Sequence, residues 1–176
     1  MKVMVHTPDV LEVLTEGEEE TRDLGSLLAR VLRPGDVVAL QGNLGAGKTR
    51  LIQGIARGLG ITRPVTSPTF VLMNVYPTGK GFSLCHVDTY RLGSPVEEGY
   101  DLGLDQLLRG EDICVIEWAE RIRPLLPADH MWVEIQEVDE HRRRIILQGT
   151  GPQSRARVGE LAKTLEHISD SAAGDV

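Results

Sequence analysis

Cysteine is scarce in this chain: 176 residues contain two, Cys85 and Cys114, each inside an apolar run ("FSLCHVD" and "ICVIEW"). There is neither a C-x-x-C spacing nor a matching histidine cluster, so both read as small buried hydrophobes and no chemistry is assigned to them. Long apolar runs are missing too. No stretch approaches a membrane span, and the opening "MKVMVHTPDV" lacks the apolar core of a signal peptide, so a cytoplasmic protein with no membrane partner is expected. Positive charge is in deficit, with 19 Lys and Arg against 26 Asp and Glu, a net charge of -7. Such a chain does not hold nucleic acid through its overall field; no DNA partner is expected, and only a local basic patch stays open for RNA. No internal repeat and no composition break marks a second domain. An Asn/Thr-Lys-x-Asp guanine-reading element is absent as well.

What is there is the stretch "LQGNLGAGKTRLIQG", which spells Gly42-x-x-x-x-Gly47-Lys48-Thr49. This is the pattern of a phosphate-binding loop, and it counts only between a buried strand and a helix. Upstream, "GDVVALQG" is a short apolar run rich in β-branched residues and reads as a buried strand. Downstream, "TRLIQGIARGLG" puts Leu51, Ile52, Ile55, Ala56 and Leu59 on one helical face and ends in Gly60 as a cap. Glycines let successive N–H groups of Asn43, Leu44, Gly45, Ala46 and Gly47 turn toward an anion, and the helix N-terminus adds partial positive charge. Lys48 then reaches the β- and γ-phosphates, and the Thr49 hydroxyl can ligate magnesium. A glycine-rich turn capping a helix is the plainer reading of the same residues.

The rest of the chain is an α/β pattern. "DVLEVLTEG" reads as an opening strand, and Thr15 with Glu18 has the spacing of a capping box before a helix reaching about Leu32. "VTSPTFVLMNVYP" and "GFSLCHVDTYR" read as strands joined by the turn-rich "PTGKG", a loop length that links antiparallel neighbours. "SPVEEGYDLGLDQLL" carries a Ser94 to Glu97 capping-box spacing and reads as two helical pieces broken near Gly103. "DICVIEW" is a further buried strand, "AERIRPLLP" a short helical segment stopped by prolines, and "MWVEIQEVDEHRRRIILQG" two strands turning near Asp139 to His141. The expected fold is therefore a P-loop type α/β domain over residues 1–149, its mixed sheet having a parallel core, antiparallel additions and helices on both faces. Residues 150–176 are expected as a linker ("GTGPQS"), a short helix with Val158, Leu161, Leu165 and Ile168 on one face, and a disordered tail. That helix either packs on its own domain or meets a partner, with packing favoured.

A bound nucleotide needs a carboxylate at a strand end to hold magnesium or orient water. Asp88 closes "FSLCHVD" and Glu117 closes "ICVIE", so both are candidate catalytic residues and, with Thr49, candidate magnesium ligands; each alone could instead be a cap or a surface ion pair. Ser67 and Thr69 in "TSPTF" follow the loop helix, where a switch sensing the γ-phosphate is often found, although a turn explains the same residues. His86 shares a strand face with Asp88 and is read as a hydrogen-bonded, partly buried histidine rather than a metal ligand. The missing guanine element favours ATP over GTP.

Together, "GNLGAGKT", "TSPTF", "HVDTYR", "DLGLDQLL" and "VIEWAERI", in this order, resemble the TsaE (YjeE) family of bacterial P-loop ATPases over about Thr15 to Gly149. The resemblance implies an ATPase, using ATP and Mg2+, that serves threonylcarbamoyladenosine formation at position 37 of tRNAs, with the proteins TsaD and TsaB as partners and tRNA met only within that complex. It implies that Lys48 and Thr49 take the phosphate and magnesium positions, Asp88 the acid of the H-x-D-x-Y-R motif, and Glu117 with Trp118 the Glu-Trp pair, Trp118 then lying at the ATP site. Thr89 departs from the leucine common there and is expected on the face opposite Asp88. Two rivals share the residues. A small-molecule kinase would need an arginine-bearing lid, for which Arg142 to Arg144 in a late strand is poorly placed. An RNA-binding module would use "HRRR", whose alternation fits solubilising charges on an exposed strand.

Overall fold

The computed structural model describes residues 1–68 and 72–173. Two segments in it are apolar at nearly every position, β3 (Val37–Gln41) and β6 (Ile113–Glu117). A strand of that kind is stable only when covered on both faces, and both lie in the middle of an eight-stranded sheet, paired in parallel with Val38 opposite Val115 and Leu40 opposite Glu117. Parallel partners flank them: β7 (Met131–Glu137) beside β3 and β5 (Ser83–Asp88) beside β6. Antiparallel strands extend the sheet on each side, β4 (Met73–Pro77) on β5, and β8 (Arg143–Gly149), β2 (Val10–Thr15) and β1 (Lys2–His6) outward from β7. The order is β1-β2-β8-β7-β3-β6-β5-β4. The fold is thus the mixed α/β sheet expected from the sequence, with a parallel core and antiparallel additions. The strand β1 was not expected; its mostly exposed positions give it no alternating pattern to read.

Alternation sorts the core into two layers. Val38, Leu40, Leu84 and Val115 face helices α1 (Glu18–Val31), α2 (Lys48–Gly58) and α5 (Pro152–Ala173), while Val37, Ala39, Val87 and Ile116 face α4 (Leu104–Leu107) and a 3₁₀ segment, Ala119–Leu125. The helix α3 (Pro95–Asp101) precedes α4, and Gly103 between them has φ 72°, a left-handed turn that breaks the helix as "GYDLGL" suggests. Cys85 and Cys114 are buried neighbours across β5 and β6, unbridged. Among the described residues no helix is long and apolar enough to cross a membrane.

Three local readings change. Thr15 makes no capping box, because it is the last residue of β2 and its buried hydroxyl bonds Thr21 Oγ1 at 2.9 Å; Gly17 stands at the N-cap of α1 without a side-chain bond. Ser94 is at the N-cap of α3 but likewise makes no side-chain bond; its N–H donates to Glu98 at 2.7 Å instead. The "GTGPQS" stretch is not a linker, since α5 starts at Pro152 with Asp129 accepting the N–H groups of Gln153 and Ser154 at 2.8 and 2.9 Å. The helix packs on its own domain through Val158, Leu161 and Leu165, whereas Ile168 lies outside that stripe and is exposed. It reaches Ala173, within what was expected as tail; residues 174–176 lie outside the described residues.

Candidate functional site

The parallel strands β3, β5 and β6 all end on one side of the sheet, and the turn leaving β3 feeds α2 there. Gly45 and Gly47 have φ values of 79° and 108°, which β-carbon-bearing residues rarely adopt. Gly42 is required for a different reason: a Cβ there would lie 2.8 Å from the Ile135 carbonyl oxygen of β7. No side chain caps α2 and its first turn holds no acid, so its orphan N–H groups are left facing the cleft. This arrangement can receive an anion.

Lys48, 6% exposed, donates to the carbonyl oxygens of Gly42 and, at 3.1 Å, of Asn43. Its ammonium lies 4.1 Å from the centre of the Trp118 ring. Burial pushes its pKa below the ordinary lysine range, against the opposing charges of Glu117, Glu120 and Asp88. Asn43 therefore contributes its carbonyl to Lys48 and lines an adjoining groove, while Leu44, Gly45, Ala46, Gly47, Lys48, Thr49, Ser67, Asp88, Glu117 and Trp118 line one open cleft of about 970 Å³.

Thr49 Oγ1 bonds Ser67 Oγ at 2.9 Å and donates to Glu117 Oε1 at 3.0 Å; Ser67 Oγ donates to Glu117 Oε2 at 3.1 Å. Ser67 is thus part of the site, and Thr69, the other switch candidate, lies outside the described residues. Burial works to raise the Glu117 carboxyl, but His86, Thr49 and Asp88 together hold it below the ordinary glutamate value. Asp88, opposite Glu117 in the sheet, is raised by burial, opposed by the Tyr90 N–H at 2.9 Å and aided by the neighbouring Glu117 charge. Among the described residues no group of three His, Cys, Asp or Glu is placed to hold a metal; the donor set here is two hydroxyls and the carboxylates.

Four residues were given no part in the site by the sequence, and His86 departs from its reading. His86 is fully buried, yet neither ring nitrogen has a hydrogen-bond partner among the described residues, contrary to the hydrogen-bonded reading; Nε2 stands 3.6 Å from Glu117 Oε1 and acts on it electrostatically. Thr89 does face away from Asp88, and its hydroxyl donates to the Trp118 carbonyl at 2.7 Å. Trp118 has φ 57°, the only left-handed non-glycine among the described residues, and its ring stacks at 4.9 Å on Tyr90. Arg121 clamps that loop, donating to the carbonyls of Thr89, Tyr90 and Leu92. Arg142 and Arg144 are exposed and Arg143 half-buried, as the alternation suggests, but β8 is an interior strand: Arg144 pairs with Glu12 at 2.6 Å, Arg142, in the turn before β8, with Asp139 at 2.6 Å, and Arg143 Nε donates to the Ala46 carbonyl at 3.0 Å. No signal within a few residues of Arg143 could have revealed that contact.

A family model described as Threonylcarbamoyl adenosine biosynthesis protein TsaE matches residues 15–145, a span that takes in the cleft and Arg143. The tRNA threonylcarbamoyladenosine biosynthesis protein TsaE of Bacillus subtilis is 39% identical over 149 residues, covering 85% of this chain and 92% of that protein. Its counterpart of the same name from Streptomyces coelicolor is 40% identical over 155 residues, with 88% and 91% covered. The crystal structure of Bacillus subtilis YdiB superposes with a TM-score of 0.77 at 34% identity, covering 91% of this chain and 99% of that one.

Proposed function

The chain belongs to the TsaE family of tRNA threonylcarbamoyladenosine biosynthesis proteins, and on that premise we propose that it is a Mg2+-dependent ATPase whose hydrolysis supports turnover of the TsaD–TsaB complex in the cytoplasm, meeting tRNA only there. The observation that carries the ATPase reading is the contact of Thr49, in the first turn of α2, with Glu117, which closes the neighbouring strand. It joins the anion-receiving turn to a carboxylate kept ionised by its surroundings. Loop N–H groups and Lys48 bind the β- and γ-phosphates; Lys48 exchanges the carbonyls of Gly42 and Asn43 for phosphate oxygens. Bound magnesium would neutralise phosphate charge, held by Thr49, Ser67 and Glu117, oxygen donors within 3.3 Å of one another and of the hard kind magnesium takes. Asp88, whose raised pKa suits it to accept a proton, orients the attacking water. Trp118 and Tyr90 wall the cleft and exclude other water.

The test is calorimetry and hydrolysis on full-length variants. Lys48→Ala should weaken ATP binding by about 10- to 100-fold, the scale of a lost charged hydrogen bond. Glu117→Gln should lower hydrolysis by about 100-fold or more with affinity roughly kept. The wild-type chain alone should hydrolyse slowly, be accelerated by TsaD with TsaB, and be indifferent to small-molecule acceptors. Phosphorylation of an added acceptor would replace this reading with a kinase; wild-type affinity in Lys48→Ala would remove the loop from nucleotide binding.

A further inference from the structure

We infer that Arg143 is a positioning residue for the phosphate loop, fixing the Ala46–Gly47 peptide so that the Gly47 N–H faces the β-phosphate; this rests on reading the loop as the phosphate site. The contact joins residues 97 apart in sequence. It comes from a rigid arm, because β8 is paired on both sides, with Arg143 opposite Thr15 of β2 and Glu137 of β7. The Arg143 guanidinium is held at its far end by the turn carbonyls of Asp139 at 2.7 Å and Arg142 at 3.0 Å, leaving Nε to donate to Ala46 O at 3.0 Å. Ala46 itself is buried, so the accepting carbonyl cannot swing toward solvent.

A trans peptide carries its C=O and N–H antiparallel. With the Ala46 carbonyl tied outward to Arg143, the Gly47 N–H is turned the other way, into the concave side of the loop. That restraint is needed because Gly47, at φ 108°, has the freedom to let this peptide rotate, and a rotated peptide would present a carbonyl to an anion. The cation on the carbonyl also polarises the peptide, strengthening the N–H as a donor. The β7–β8 hairpin therefore belongs to the nucleotide site although none of its side chains needs to touch ligand.

The probe is ADP with magnesium, titrated calorimetrically into the full-length protein well below its melting temperature. Arg143→Met, which keeps the aliphatic stem and loses the donor, should raise Kd about tenfold, equivalent to about 1.4 kcal/mol. Arg143→Lys, which retains a donor, should stay within about threefold of wild type. Arg143→Leu, which also lacks a donor, gives an independent reading and should match Arg143→Met. The ADP-induced shift of the Gly47 amide in a 15N spectrum should shrink in Arg143→Met, a change that mere loss of stability would not produce. Wild-type affinity in Arg143→Met and Arg143→Leu, or equal losses in Met and Lys variants, overturns the inference while ADP binding that is lost in Lys48→Ala leaves the phosphate reading standing. Absence of ADP binding by the wild-type chain would instead overturn that reading.

Discussion

Gly54→Ala should destabilise the fold markedly although it adds one methyl group to a helix. A Cβ at Gly54 of α2 would sit 2.0 Å from the carbonyl oxygen of Arg22 and 2.8 Å from its carbonyl carbon and Cα, all backbone atoms of α1. No rotamer change can relieve such a clash, because ordinary contacts lie near ~3.5 Å. The approach is reciprocal: a Cβ on Gly25 of α1 would meet Leu51 O at 2.2 Å, and one on Gly58 would meet Ala29 Cβ at 2.6 Å. To admit the methyl, α1 has to move by about 1 Å or more, loosening Leu24, Leu28, Leu51 and Ile55, which are fully buried where the two helices meet. Overpacking costs about 1–3 kcal/mol when side chains can yield, and here they cannot; partial exposure of several leucines adds to it, and the better helix propensity of Ala returns only ~1 kcal/mol.

The expected net loss is about 2–4 kcal/mol, which for a domain of this size lowers Tm by about 5–15 °C. Gly159→Ala in α5 is the matched control: nothing lies within 4 Å of its Cβ position, so the same substitution should stabilise by up to ~1 kcal/mol. Urea unfolding followed by far-UV circular dichroism measures both. A Gly54→Ala protein as stable as wild type, or a Gly159→Ala loss of equal size, would refute the close-packing argument.

Two further outcomes are expected. Asp139 accepts the N–H of Arg142, its guanidinium, and the N–H of His141, which together hold its carboxyl at about 2. Its folded pKa is depressed, so the stability it lends is present above the ordinary aspartate range and lost as pH falls through about 2. A side-chain 13C titration with a midpoint at an ordinary aspartate value would refute the turn geometry. Trp118 should report nucleotide, because Lys48 must leave its ring to reach phosphate. In a Trp132→Phe background, where Trp118 is the one remaining tryptophan of the two, saturation with ADP should change its emission; an unchanged spectrum would separate the indole from Lys48.

The parts of the site that sequence exposed are the ones whose cause is local. The glycines, Lys48 and Thr49 are contiguous, and Asp88 and Glu117 each close an apolar run, so their placement at strand ends follows from a period of two and a change of polarity. The hairpin of β4 and β5 was legible because a short turn-rich loop permits only antiparallel neighbours. Arg143 was not legible, since its partner is fixed by strand order: β8 lies beside β7, and β7 beside β3, from which the loop departs. The capping-box spacing at Thr15 misled for a related reason. A threonine at that spacing caps a helix only when it is free of the strand before it, and here the strand ends on Thr15 itself. The glycines between α1 and α2 read as weak helix formers until the facing backbone is placed against them.

The unfavourable features of the molecule also have a common location. A desolvated lysine, a left-handed tryptophan, a buried histidine whose ring nitrogens make no hydrogen bond among the described residues, and two facing carboxylates one of which is pushed up in pKa all sit around one cleft. Away from the cleft, ion pairs such as Arg57–Glu19 and Arg155–Asp9 lie on the surface and the core forms two apolar layers. The costs at Lys48 and at the facing carboxylates are of a kind that ligand would offset. Phosphate oxygens would meet Lys48 and the orphan N–H groups of α2, and a hard cation would offset the repulsion between Glu117 and Asp88. Thr89 and Arg121 show that the strain at Trp118 is held from outside the cleft, since both bind the carbonyls of the loop that carries it and its Tyr90 neighbour. Holding the Trp118 loop from residues that do not line the cleft spares binding energy from ordering that loop, which leaves it for chemistry.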